Sequence, residues 1–307
     1  MGAGPISAKI ESESMQCSLE LCRLYAGVHR AVIFVGPVGV GKTTLAQELH
    51  RLSSRTGPFV VVSAGELTEG LFADTLYGHV EGAYTGASRR RHGVIAGAAK
   101  GTLLIDDLAL MAEPVQQALL RVLEARRYRP LGGEVDDEAT CRFVFATTVD
   151  PLELVGRGVL IPDLASRLGD LVIPVPSLRD RRRDIMPIAS HVAHTFLGEH
   201  DEVGEVSFSD EARALLEAYD WPRNVRELRA AVEHAVIHAG HRQQLIVIRP
   251  IHLPERLRSF PEQVEHSARL TRGLVERVLD ETGGNQSEAA RRLGVHRNTI
   301  ARYRKSS

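Results

Sequence analysis

Eight consecutive residues, Gly36-Pro37-Val38-Gly39-Val40-Gly41-Lys42-Thr43, have the spacing of a loop that wraps phosphate. Its glycines let successive backbone N–H groups turn inward, and a helix beginning near Lys42 adds the positive end of its dipole. Lys42 is the residue type that reaches β- and γ-phosphates. The Thr43 hydroxyl suits Mg²⁺, and Thr44 follows in the same turn. This chemistry needs an acidic group at the end of a second strand. Leu103-Leu104-Ile105-Asp106-Asp107 supplies it, with Asp106 placed to hold Mg²⁺ through water and Asp107 to polarise an attacking water. ATP and Mg²⁺ are the expected ligands.

Such groups must be carried by strands and helices. Ala31–Val35 is a continuous apolar run rich in β-branched residues, the mark of a strand buried on both faces. Further strands are expected at Phe59–Val62, Thr102–Ile105, Arg142–Ala146 and Leu171–Val175, after a short helical lead-in over residues 1–30. Within Pro114–Glu124, Val115, Ala118, Leu119, Val122 and Leu123 recur at helical spacing. Strands alternating with helices imply an α/β fold, a parallel sheet covered on both faces. Beyond Val175 strand signals nearly stop. Ser209-Asp210-Glu211 reads as a capped helix start, Val225–Ala239 as a helix ended by Gly240, and Pro250, Pro254 and Pro261 as linker punctuation. A final unit spans residues 262–307.

That final unit has the pattern of a helix-turn-helix. Asn285 can cap a helix whose apolar face is Ala289, Ala290 and Leu293, and Gly294 permits a tight turn. The next helix, near Arg297–Lys305, carries Arg297, Asn298, Thr299, Arg302, Tyr303 and Arg304 as candidate DNA contacts, early residues toward bases and later ones toward phosphate. From Gln286 to Ser307 six basic residues stand against the single acid Glu288, as a nucleic-acid-facing end requires. A solvated charged helix has the same charge count.

The composition is that of a globular protein, 43% hydrophobic and 25% charged over 307 residues. No apolar run approaches the roughly 20 residues that cross a bilayer. Met1-Gly2-Ala3-Gly4-Pro5 lacks the features of a secretion signal, so the expectation is cytoplasmic, without membrane contact. Cys17, Cys22 and Cys141 fit neither a disulfide framework nor a zinc spacing and read as reduced thiols. His191, His194 and His200 lack a partner at convincing metal spacing.

Between the two phosphate motifs lies Leu76-Tyr77-Gly78-His79-Val80-Glu81-Gly82-Ala83-Tyr84-Thr85-Gly86-Ala87, which resembles the sigma-54-contacting loop of the bacterial enhancer-binding proteins. These are AAA+ ATPases whose loop usually reads G-A-F-T-G-A. Small residues around one aromatic suit a loop that presents a ring to a partner. Ser177–Ile185 resembles the run opening the family's helical lid, and Trp221–Leu228 its second-sensor segment, with Arg226 reaching phosphate. Gly283–Val295 resembles its Fis-type helix-turn-helix. The resemblance implies an AAA+ α/β nucleotide-binding subdomain over 1–174, a helical lid over 175–256 and an all-α DNA-binding domain over 262–307. It implies a homo-oligomeric ring, a hexamer, with Arg167 acting on the neighbouring subunit's nucleotide and Gly82–Ala87 contacting the sigma-54 RNA polymerase holoenzyme. The short stretch before the first strand points to control by a separate regulatory protein, by expression level or by a further domain.

Tyr84 departs mildly from the family's Phe, keeping the ring and adding a hydroxyl, and the other departures touch hydrolysis. The second motif is Asp106-Asp107 rather than Asp-Glu, Thr148 stands at the first-sensor Asn, Ser63 at the switch Asn, and Ile161 at the first of two trans-acting arginines. Ser63 is short but can hydrogen-bond Asp107, so a rewired switch and slow hydrolysis are expected. Three functions remain open: a mechanochemical sigma-54 activator, an ATP-responsive DNA-binding regulator that acts without sigma-54, and a DNA-handling ATPase such as a helicase loader.

Overall fold

The computed structural model describes residues 10–68, 70–199, 205–240, 245–260 and 272–293, and they fall into two units. The first comprises the described residues up to His191 together with Asp220–Arg229. Its elements in chain order are α1 (Glu13–Ala26), β1 (Val32–Val35), α2 (Lys42–Leu52), β2 (Phe59–Ser63), α3 (Phe72–Tyr77), β3 (Gly78–His79) and β4 (Arg91–His92). They continue with α4 (Val94–Gly97), β5 (Thr102–Asp106), α5 (Glu113–Ala125), β6 (Arg127–Tyr128), β7 (Asp137–Glu138), β8 (Arg142–Thr147), α6 (Pro151–Gly156), α7 (Pro162–Leu168) and β9 (Val172–Pro174).

Five of the strands form one parallel sheet in the order β2-β5-β8-β1-β9. All five strand expectations hold to within a residue or two. The period of two along each strand divides the core. Ile33, Leu103, Ile105, Phe143 and Phe145 point to the face covered by α5 and α7. Val32, Phe34, Leu104, Val144 and Ala146 point to the face covered by α1 and α2. These side chains are buried, each worth roughly 1.5–3 kcal/mol. Because every strand is parallel, the ends of β1, β2, β5 and β8 lie along one edge, which is where Gly36, Ser63, Asp106 and Thr147 come together. The chain crosses from β1 to β2 at the far edge, steps back through β5 and β8, and ends at β9 on the other side of β1, so β1 sits where the direction of winding changes, the position where open α/β sheets take ligands.

The second unit comprises Val192–Tyr219 and the described residues from Ala230 on. α8 (Ile185–Glu199) and α10 (Asn224–Ala239) run from the first unit's sequence into the second's. Two features differ from expectation. β10 (Glu205–Phe208) and β11 (Leu245–Ile248) pair in parallel, so strands do return after Val175. Four-residue strands this far apart leave little periodic signal. The proline-punctuated stretch is also built rather than loose: Pro250–His252 is a 3-10 turn, α11 (Glu255–Arg258) follows, and Leu253 and Leu257 are buried. The expected cap of α9 (Asp210–Ala218) is present, with Ser209 Oγ accepting from the Ala212 N–H.

Near the C-terminus, helices Arg272–Glu281 and Gln286–Arg292 are described. Asn285 Oδ1 caps the second, accepting from the N–H groups of Ser287 and Glu288, and Ala289, Ala290 and Leu293 are buried as expected. The candidate DNA contacts Arg297, Asn298, Thr299, Arg302, Tyr303 and Arg304 lie outside the described residues. Among the described residues, no helix is long and apolar enough to cross a membrane.

Candidate functional site

The loop Gly36–Gly41 leaves β1 and enters α2 with Lys42 as the first helical residue, followed by Thr43 and Thr44. Two of its glycines are required by close approach. A side chain at Gly36 would meet the Val175 carbonyl at 2.3 Å. Gly39 has φ +76°, and its absent Cβ would lie 2.3 Å from the Arg223 carbonyl. Pro37 and Val38 are exposed, whereas Val40 is buried beneath the loop.

Lys42 is 8% exposed, and its Nζ donates to the carbonyls of Gly36 (2.8 Å) and Pro37 (3.1 Å). The ammonium is thus held inside the loop it would share with phosphate. Burial lowers its pKa below the ordinary lysine value; Asp106 and Asp107 oppose that shift and Arg226 adds to it. At the end of β5, Asp106 Oδ2 lies 3.5 Å from Thr43 Oγ1 and Asp106 Oδ1 accepts from the Asp107 N–H. A hydroxyl and a carboxylate facing each other at that separation form the hard-oxygen donor set that suits Mg²⁺. The chain at Asp107 adopts the left-handed conformation, φ 57° and ψ 51°, which turns it away from the strand.

Of the remaining hydrolysis positions, Ser63 departs from expectation. Ser63 is aligned with Asp106 across the β2–β5 ladder, and no hydrogen bond joins it to Asp107. Its hydroxyl sits on a shorter side chain than the Asn of the family pattern, so the anticipated Ser63–Asp107 pair does not form. Thr148 is exposed just beyond β8, while its neighbour Thr147 is buried and turns its hydroxyl back to Val149. Arg167, on α7, is not at the phosphate loop of its own chain; its Nη2 donates to the Leu123 carbonyl at 2.8 Å.

The second-sensor segment does reach the loop. The Arg226 N–H donates to the Gly39 carbonyl, and the Arg226 side chain is exposed beside it. Two further residues, not singled out by sequence, make the same connection. Asn224, buried at φ 53°, donates from Nδ2 to the Val38 carbonyl (2.9 Å) and accepts through Oδ1 from the Leu178 N–H (2.8 Å). Arg181, also buried, donates from Nη2 to the Val40 carbonyl. The signal for Asn224 was its residue type, since Asn tolerates positive φ better than any other side-chain-bearing residue but Asp. Asn224→Ala removes both bonds and leaves a strained backbone. ATP affinity measured by calorimetry should weaken by about tenfold, the equivalent of one charge-free buried hydrogen bond at about 1.4 kcal/mol. Unchanged affinity would mean that the loop does not depend on this link.

The Gly82–Ala87 loop is at the tip of the β3–β4 hairpin. It is closed on itself, with the Gly82 N–H bonded to the Ala87 carbonyl at 2.8 Å, and it turns on Gly82 (φ +78°) and Gly86 (φ +107°). Ala87 is buried, whereas Thr85 is exposed and Tyr84 is 48% exposed. The Tyr84 ring stands edge-on to His79 at 5.1 Å. His79 is itself fixed between the Asp74 carboxylate and the Arg89 carbonyl, and Arg91 binds the same carboxylate. A rigid base therefore carries a small loop whose aromatic ring faces solvent.

This combination, a phosphate loop on a five-stranded parallel sheet and a separate aromatic-tipped hairpin in the same unit, defines a nucleotide-binding AAA+ unit. Residues 8–174 match the family Sigma-54 interaction domain, residues 179–270 the AAA+ ATPase lid domain, and residues 270–305 the Bacterial regulatory protein, Fis family. The chain belongs to the sigma-54 interaction domain family. It is 34% identical over 296 residues to the transcriptional regulatory protein ZraR of Salmonella typhimurium, covering 94% of this chain and 66% of ZraR. It is 33% identical over 280 residues to the transcriptional regulatory protein GlrR of Escherichia coli, covering 91% of this chain and 63% of GlrR. The structure of NtrX from Brucella abortus in complex with ATP superposes with a TM-score of 0.72 at 25% identity, covering 98% of this chain and 69% of that one. The chain thus spans about two thirds of the length of these relatives.

Proposed function

We propose that the protein is a sigma-54-dependent transcriptional activator of the cytoplasm. It binds upstream DNA and uses ATP hydrolysis in a homo-oligomeric ring, a hexamer, to remodel the RNA polymerase holoenzyme for promoter opening. The observation that carries this reading is the solvent-facing Tyr84–Thr85 tip on a rigid hairpin of the same unit that holds the phosphate loop. A protein that only bound nucleotide would have no use for such a presentation.

In this reading residues 1–174 form the nucleotide-binding subdomain, 175–256 the lid and 262–307 the DNA-binding domain. Gly36–Thr44 bind ATP, with Lys42 on the β- and γ-phosphates and Arg226 reaching phosphate from the second-sensor segment. Mg²⁺ held by Thr43 and, through water, Asp106 neutralises phosphate charge. Asp107 orients the attacking water, Thr148 senses the γ-phosphate, and Arg167 acts on the neighbour's nucleotide. Turnover moves the Gly82–Ala87 loops against sigma-54. Arg297, Asn298, Thr299, Arg302, Tyr303 and Arg304 contact the DNA site.

A second reading has one observation in its favour. The unlinked Ser63 and Asp107 suit an ATP-responsive DNA-binding regulator with weak or no hydrolysis, independent of sigma-54. Transcription by sigma-54 polymerase on duplex and pre-melted promoters separates the two. The activator reading expects an ATP-dependent requirement for the protein on duplex templates alone. Tyr84→Ala should abolish that activation while leaving ATP turnover unchanged. Activation that persists with a non-hydrolysable ATP analogue, or that is indifferent to Tyr84, would reject it in favour of the regulator.

A further inference from the structure

Gln116, on the first turns of α5, is 1% exposed, and every polar atom of its amide is engaged by backbone. Nε2 donates to the Met111 carbonyl (2.8 Å) and to the Val159 carbonyl (2.8 Å), while Oε1 accepts from the Ile161 N–H (2.9 Å). The reversed amide would set its oxygen against two carbonyls and its nitrogen against an N–H, so only one orientation satisfies the site. Ile161 is the residue that caps α7, with φ −69° immediately before Pro162. No side chain caps this helix start, so Gln116 is what anchors it.

α7 is only seven residues long, and it carries Arg167 in its last turn. Leu164 and Leu168 bury one side of it, and the Arg167 guanidinium rests on the Leu123 carbonyl near the other end of α5. α5 therefore grips α7 twice: at the start through Gln116 and at the end through Arg167. The Leu123 carbonyl takes only Nη2 of the guanidinium, which leaves its other N–H groups to meet a phosphate. Gln116 holds backbone rather than the guanidinium, so it fixes where the helix begins without occupying any of those donors.

We propose that Gln116 is the positioning residue for Arg167, setting the start of α7 so that its last turn presents the guanidinium to the neighbouring subunit's nucleotide. The proposal rests on the reading that Arg167 acts in trans. A misplacement of about 1 Å at a reacting centre costs roughly 10²-fold, so a short helix with a loose start loses most of its effect.

The test uses the full chain and mixed oligomers. Gln116→Met keeps the volume and removes the amide. Ile161→Pro deletes the same hydrogen bond from the other side, at a backbone φ that proline accepts. Each variant should bind ATP with unchanged affinity and lose roughly 10²-fold in single-turnover hydrolysis. Mixing either with excess Asp107→Asn subunits, whose Gln116 and Arg167 are intact and whose own hydrolysis is subtracted, should restore turnover at the variant's own nucleotide. Gln116→Met combined with Arg167→Ala should be no slower than Arg167→Ala alone. If Gln116→Met does not fold, Ile161→Pro carries the test. Rescue of Arg167→Ala but not of Gln116→Met or Ile161→Pro would overturn the proposal, since the defect would then lie in the subunit's own site. Failure to rescue Arg167→Ala itself would instead remove the trans reading on which the proposal stands.

Discussion

Replacing Arg167 by alanine is expected to lower ATP turnover by about 10³-fold or more, the low end of what a trans-acting arginine supplies in phosphoryl transfer. The size follows from electrostatics. A guanidinium delivered to the leaving phosphates neutralises charge that develops only in the transition state, in a place from which water has been displaced. This chain has no second arginine to share the task, because Ile161 occupies the other position of the segment. ATP affinity should change little, as Arg167 rests on the Leu123 carbonyl and makes no bond to its own phosphate loop. Steady-state phosphate release as a function of protein concentration is the measurement. Wild-type turnover should rise steeply with concentration as subunits assemble, and the variant should stay flat. A variant rate within a few fold of wild type would make Arg167 a mere cap on α5. Lys42→Ala supplies the baseline for a site without productive nucleotide binding.

How far the site was legible in the sequence depends on the range of the forces that build it. The phosphate loop and the acids after β5 are local: strand, turn and helix start are encoded in contiguous residues, and the structure places Lys42, Thr43, Asp106 and Asp107 together. The sheet was legible for the same reason, since runs such as Val32–Val35 and Arg142–Thr147 announce double burial. The residues that tie distant segments were not. Asn224 binds Val38 across 186 positions; its residue type suits the positive φ, but nothing in Trp221–Leu228 specifies the partner its side chain meets. The expected Ser63–Asp107 pair does not form, because Asp107 leaves the strand in a left-handed turn, a conformation that Asp adopts more readily than most residues. β10 and β11 escaped notice because each is four residues long and its partner is 40 positions away in register.

Arg142 is the clearest residue whose type conflicts with its place, and its replacement is expected to have the largest effect on stability. It begins β8, a fully buried strand whose next four residues are apolar, yet only 1% of it is exposed. Its guanidinium donates from Nη2 to the Tyr25 carbonyl (2.8 Å), from Nη1 to Ala26 (3.2 Å) and from Nε to Arg30 (3.2 Å). Tyr25 and Ala26 are the last two residues of α1, whose terminal carbonyls have no partner within the helix. Arg142 is therefore a C-terminal cap delivered from the sheet, and its positive charge meets the negative end of the helix dipole. Burial lowers its pKa to about 10, still well above neutral, so the group stays charged. Two effects oppose each other. Burying a cation without a carboxylate partner is costly, whereas breaking the arrangement strands the Ala26 and Arg30 carbonyls and leaves a cavity; the Tyr25 carbonyl keeps the Val28 N–H. Arg142→Ala incurs both losses and should destabilise the fold by about 3–5 kcal/mol, the range seen when one partner of a buried charged arrangement is removed. Arg142→Met fills the space and relieves the buried charge, so only the stranded carbonyls remain, at about 1–3 kcal/mol. With about 2–4 °C of Tm per kcal/mol for a unit of this size, thermal unfolding followed by circular dichroism resolves the two variants. The order wild type, Met, Ala is the decisive result. A methionine variant at least as stable as wild type would mean that the guanidinium is a net cost, retained for something other than holding α1 to the sheet.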